Sequence, residues 1–257
     1  MTVAPIRTDQ VGSLPVNVYQ DEASVGAAAA ADMAAIIKAA IAERGAANLI
    51  LATGNSQLAF LRALRVMDDI DWHRVTVFHM DEYIGIDPNH RASFPLFLRQ
   101  HFFSYVPGAT FHPMSGDASR VAAICAEYEA LLRAHPVDAV ALGWGENGHL
   151  AFNDPPYAEF NDPVWAKAVK LDEVSRKQQH GEGHFDTLDE VPTHAITLTI
   201  PCLLASKRVL CIVPESRKAN AVHDCLKLPV SESRPGSVLR TALHAKLYLD
   251  PDSAARL

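Results

Sequence analysis

The chain has 257 residues, 49% hydrophobic and 21% charged, with a formal net charge of −7. That composition excludes a disordered chain, and the length suits one sizeable core. The acidic balance, with no cluster of Lys and Arg, argues against a nucleic-acid surface.

In chain order, residues 16–19 read as a short first strand. Asp21 then caps a helix that runs through an alanine-rich segment to a stop at Gly45, with Met33, Ile36, Ile37 and Ile41 on one face. Alanine has the best helix propensity, so this run is a packed helix and not low complexity. Residues 47–53 form a wholly apolar strand. Gly54, Asn55 and Ser56 follow, then an amphipathic helix through Leu58, Leu61 and Leu64. Outward amides and a helix dipole make such a turn a candidate phosphate site, although the same junction also serves as a plain connector.

Residues 75–80 are the next strand, ending at Asp81-Glu82-Tyr83. Adjacent side chains of an extended chain point to opposite sides, so one carboxylate at most faces a given pocket. We choose Asp81; the alternative is that Asp81 caps a turn and Glu82 is solvated. A turn-rich loop over 84–93 leads to Ser93, a candidate cap for a helix through Phe103. The spacing of Val121, Ile124, Tyr128 and Leu132 predicts a helix within 117–134.

Residues 137–142 form a buried strand that runs into a turn punctuated by Gly143, Gly145 and Gly148. In an open α/β sheet the carboxyl ends of the strands hold the ligand, which places Asn147, His149 and Asp154 at a site mouth. These three can orient, charge and protonate an oxygen. From 155 to 192 the apolar pattern weakens, and we read a polar excursion over the site with a short helix, open to motion. His180 and His184 lie four apart, but the glycines between them and the lack of a third ligand speak against a metal.

Strands follow at 195–200 and 208–213. Residues 214–218 then start a helix through Val222 and Cys225, which brings Lys218 to another strand end. A lysine there opposes the helix dipole, so it is either a solvated surface residue or awaits an anion. Residues 245–249 are the last strand. The alternation predicts a doubly wound, mainly parallel, Rossmann-like α/β sheet with helices on both faces, as a single domain over 1–257. The four cysteines match no zinc or redox spacing and are expected to be reduced and packed. No window reads as an uninterrupted apolar membrane span and no secretory core opens the chain, so a cytoplasmic protein without a membrane or nucleic-acid partner is expected.

Residues 51–56 (LATGNS), 80–83 (MDEY), 145–155 (GENGHLAFNDP) and 216–218 (SRK) together resemble the glucosamine-6-phosphate deaminase (isomerase) family, within the wider group that includes 6-phosphogluconolactonases. The resemblance covers nearly the whole chain. It implies conversion of glucosamine 6-phosphate and water to fructose 6-phosphate and ammonia, without a metal or cofactor. Asp81 would move a proton between C1 and C2, and His149 would open the sugar ring, oriented by Asp154 and Asn147. Thr53, Gly54, Asn55, Ser56 and Lys218 would hold the phosphate.

Two departures from the family's pattern stand out. The motif ends Asn153-Asp154-Pro155 where the family has Asn-Glu-Pro, one methylene longer. The family's phosphate-binding arginine, sought in the excursion near Arg176 and Lys177, falls by register close to Gly181. Alternatives are another amino-sugar phosphate such as the galactosamine epimer, a 6-phosphogluconolactonase, or a non-catalytic sugar-phosphate sensor. The family's assemblies range from monomer to hexamer, so a homo-oligomer is allowed.

Overall fold

The structure is a computed structural model that describes residues 3–155 and 157–257. A polar hairpin opens it: β1 (Arg7–Val11) pairs antiparallel with β2 (Leu14–Val18). Sequence reading started the strands later because β1 is largely exposed and carries no apolar pattern. Helix α1 (Glu22–Arg44) is capped as expected. Asp21 Oδ1 accepts from the Ser24 amide at 2.8 Å, and Gly45 adopts φ 79° at the other end.

By length and hydropathy alone (1.7 over its best window) α1 is long and apolar enough to cross a membrane. Its alanines and Met33 and Ile37 instead pack in the core. Strand β3 (Ala47–Leu51) leads into α2 (Leu58–Leu64), which lies against α1 so closely that a β-carbon on Gly26 would come within 2.5 Å of the Ala59 carbonyl carbon.

Strand β4 (Val75–His79) is followed by β5 (Asp81–Tyr83), then by α3 (Phe94–Leu98), whose last turn widens over Arg99–Phe103. Ser93 does not cap α3 through its side chain. Its hydroxyl donates instead to Glu82 Oε2 at 2.8 Å. The short strand β6 (Thr110–His112), unread in the sequence, precedes α4 (Val121–Ala134) and β7 (Ala139–Leu142).

The polar stretch read as an excursion contains β8 (Ala166–Lys170) and α5 (Glu173–Gly181). Next come β9 (His194–Leu198), α6 (Ile200–Leu204), β10 (Val209–Val213), a single 3₁₀ turn at Ser216–Lys218, α7 (Ala219–Lys227) and β11 (Ala245–Leu249).

The main sheet has the order β1-β2-β11-β10-β7-β3-β4-β6 and is parallel except for β1. Alternate residues of each strand enter different cores. Leu49, Leu51, Val77 and Ile212 face α1 and α2, whereas Ile50, Phe78, Cys211 and Leu247 face α4, α6 and α7. The expected doubly wound sheet is therefore present. A second, antiparallel sheet, β5-β9-β8, accompanies it and has a small core of its own around Tyr83, Phe94, Phe152 and Phe185. All four cysteines are free thiols.

Candidate active site

A cleft opens at the carboxyl ends of β3, β4, β7 and β10, where parallel sheets gather ligand groups. The turn after β3 supplies Thr53, Gly54 and Ser56 to its wall. Gly54 takes φ 101°, a conformation open to glycine, and a 3₁₀ turn over Asn55–Gln57 follows it. Asn55 itself does not line the cleft. From the far side comes Lys218, 2% exposed, whose pKa is lowered by burial, against the raising effect of Glu182. The reading of Lys218 as a solvated surface residue is thereby excluded.

Asp81 reaches the cleft because the main-sheet strand ends at His79 and β5 turns away to pair with β9. The Leu198 amide donates to the Met80 carbonyl at 2.7 Å and pins this crossing. Burial, followed by the charges of Glu82 and Asp154, pushes the Asp81 carboxyl well above the usual carboxylate range. Glu82 points the other way, as strand alternation requires, yet it is 2% exposed and not solvated. It accepts from the Ser93 hydroxyl and, at 2.8 Å, from the Tyr83 amide. Burial still raises its pKa to about 7.

The glycine turn after β7 holds His149. A β-carbon on Gly145 would sit 2.1–2.3 Å from the imidazole ring atoms, so only glycine leaves room for that ring. Gly148, at φ 80°, donates its amide to the Gly145 carbonyl and closes the turn. His149 Nδ1 lies 2.7 Å from Asp154 Oδ1. The same oxygen accepts from Asn147 Nδ2 at 2.9 Å and from Ser175 Oγ at 2.6 Å, and Asn147 Oδ1 takes the His149 amide at 3.0 Å.

Burial would raise the Asp154 pKa, but the imidazole and these hydrogen bonds outweigh it and hold the carboxyl at about 2. An ionised Asp154 keeps the proton of the neutral ring on Nδ1 and leaves Nε2 to exchange protons with a ligand. Asp154 and Asn147 do not line the cleft and act on it through the ring.

Helix α5, within the stretch read as a polar excursion, forms the roof. Its buried residues Ser175 and Gln179 point inward. Ser175 closes the Asp154 cluster, and Gln179 Oε1 accepts from the Tyr83 hydroxyl at 2.7 Å. Gln178 also lines the cleft, and its Oε1 accepts from the Glu146 amide at 3.0 Å.

Neither basic residue suggested for the family's arginine lines the cleft. Arg176 donates to the carbonyls of Leu188 and Val191, and Lys177 pairs with Glu173 on the surface. Glu182 stands near Gly54 instead, bound to Arg217. His180 and His184 contact different partners, and among the described residues no group of three or more His, Cys, Asp or Glu is placed to hold a metal ion.

Fold and cleft together define an open α/β protein that works at the carboxyl edge of a parallel sheet. The chain belongs to the family of glucosamine-6-phosphate isomerases and 6-phosphogluconolactonases, whose sequence profile matches residues 20–247. A glucosamine-6-phosphate deaminase of Exiguobacterium sibiricum is 36% identical over 217 residues, covering 80% of each chain. One from Bacillus cereus is 34% identical over 203 residues, covering 79% of this chain and 75% of its own.

Among solved structures, a monomeric glucosamine-6-phosphate deaminase superposes with a TM-score of 0.85 at 29% identity, over 94% of this chain and 99% of its own. A 6-phosphogluconolactonase from Shewanella baltica shares the fold, with a TM-score of 0.75 at 20% identity over 94% and 98%.

Proposed function

We propose that the protein converts glucosamine 6-phosphate and water to fructose 6-phosphate and ammonia. The observation that carries this reading is the meeting, in one cleft, of a buried carboxylate, an aspartate-held imidazole and a glycine turn facing a buried lysine. The phosphoryl group takes the amides of the Gly54–Ser56 turn, the Ser56 hydroxyl and the Lys218 ammonium, with Thr53 and Asn55 shaping that turn. This puts the sugar between Asp81 and His149.

Nε2 of His149 exchanges a proton with the ring oxygen and opens the pyranose. Asp81, its basicity raised by burial, takes the proton from C2 and delivers it to C1. The C2 amine is then an imine, to which water adds and from which ammonia leaves, so the deamination is hydrolytic. Asn147, Asp154 and Ser175 hold the imidazole in the tautomer these steps need.

The reading of the chain as one domain is supported by a family match over residues 20–247 that takes in strands of both sheets. A cytoplasmic location fits a phosphorylated substrate. The relatives at 34–36% identity are named deaminases, whereas the lactonase structure shares the fold alone at 20%. Asp154, although short, reaches the imidazole at 2.7 Å and so gives no reason to prefer the galactosamine epimer.

The test is release of ammonia and fructose 6-phosphate by purified protein, by an Asp81→Asn variant and by an EDTA-treated sample. We expect turnover that survives EDTA and is lost in the variant. Binding without turnover in the wild type would overturn the reading in favour of a sensor or a different amino sugar.

A further inference from the structure

The anion end of the cleft contains an acid. Glu182 immediately follows α5, and its side chain, 4% exposed, shares the cleft wall with Gly54 and Lys218. Its Oε1 accepts from Arg217 Nη1 at 2.9 Å and from Gln178 Nε2 at 2.8 Å, and its Oε2 lies 3.3 Å from His184 Nε2. A β-carbon built on Gly54 would meet Oε2 at 4.0 Å. The carboxylate thus faces the same glycine backbone that the phosphoryl group would take. Lys218 forms no side-chain hydrogen bond or ion pair among the described residues.

We propose that Glu182 is a specificity-determining residue of this subsite: its carboxylate holds Arg217 and opposes the substrate's phosphoryl group beside Lys218, and an anion binds by displacing it. The inference rests on the phosphate assignment made above.

Two negative groups cannot share these cations without strong repulsion. The flanking Gly181 and Gly183 give the acid room to leave. Nothing lies within 4 Å of a β-carbon on either, and Gly183 already sits at φ 81°. Departure of Glu182 leaves Arg217 Nη1 with Glu146 Oε1 alone, at 3.9 Å, and the guanidinium, now outside the cleft wall, then turns in to join Lys218 as a second cation on the phosphate. Arg217 is held for this by Glu215, whose carboxylate it grips at 2.7 and 3.3 Å. The guanidinium sought in the excursion is therefore supplied beside Lys218. A dianion outbids the internal carboxylate for two cations, whereas a monoanion of similar size does not, so the subsite selects phosphate esters over carboxylates.

Calorimetric titration with inorganic phosphate tests this on the wild type and on Glu182→Gln, with Glu182→Ala as a second variant and the melting temperature of each as a check on folding. Removing the competing charge is expected to tighten phosphate binding roughly tenfold, and the KM for glucosamine 6-phosphate should fall with it. Unchanged or weaker phosphate binding in the folded variants, or no phosphate binding by any form, would overturn the proposal. Ammonia release by the wild type without tightening in the variants leaves the deaminase reading standing and removes this one. Tightening without ammonia release does the reverse.

Discussion

Asp154 stops one methylene short of the glutamate usual in its family, yet its Oδ1 reaches His149 Nδ1 at 2.7 Å and gathers two further donors. The turn brings the backbone close enough for the short side chain to suffice. Its Oδ2 has no partner and is buried, so all of its orienting capacity goes through one oxygen. An Asp154→Asn change keeps the shape but presents an amide, which can donate to Nδ1 and drive the ring proton to Nε2, where it blocks proton acceptance. We expect kcat to fall by roughly 10²- to 10⁴-fold, read from steady-state kinetics, with thermal unfolding confirming that the variant is folded.

Helix α5 differs from the other long helices in what it buries. Its inward residues are Ser175 and Gln179, and it is tied to the rest of the protein by hydrogen bonds that Ser175 and Arg176 donate and that Gln178 and Gln179 accept. Water can replace such bonds at small net cost, so this element should open at a lower free energy than the sheet. Hydrogen exchange is expected to show amides of 174–182 exchanging through a local opening while those of β3, β7 and β10 follow global unfolding. Equal protection across both would disprove it.

The same contrast governs what the sequence revealed. Strands β3, β7 and β10 were legible because each is a contiguous apolar run ending at a turn. Asp81, His149 and Lys218 were placed by the turns that follow strands. Strands β1 and β8 were not legible, since their residues are polar and partly exposed, and β5 is three residues long. Ser175 meets Asp154 across 21 residues and Glu182 meets Arg217 across 35, so no local spacing signals either contact.

On the scale of the whole molecule, buried ionisable groups set how stability varies with pH. His79 is fully buried and its Nε2 accepts from the Met114 amide at 2.7 Å; burial lowers its pKa to about 3. Its contribution is present above the unfolded value near 6.5 and is lost as pH falls toward 3. Asp154 and Glu182, both held at about 2, lose theirs as pH falls below the ordinary carboxylate range. Glu82 and Asp81, both raised by burial, act in the opposite sense and cost stability as pH rises through their unfolded values toward neutrality.

Each group contributes a slope of about 1.4 kcal/mol per pH unit within its window. Urea unfolding between pH 3 and 8 should therefore show maximal stability near about pH 5, with a steep acid limb. Glu82→Gln should flatten the neutral side. A maximum at or above neutrality would contradict this assignment.

The strand order carries a consequence for how the chain is made. The hairpin β1-β2 precedes the other strands in sequence yet joins the sheet only through β11, which is inserted between β2 and β10. Helix α1 packs on α2 and β3, which follow it directly, and meets β10 and β11 only much later in the chain. Until β10 and β11 are made, α1 is covered by α2 and β3 alone, and its remaining face is apolar enough to need shielding. The sheet is continuous only once β11 pairs with both β2 and β10. A chain cut before residue 245 would lack the one strand that ties the hairpin into the sheet.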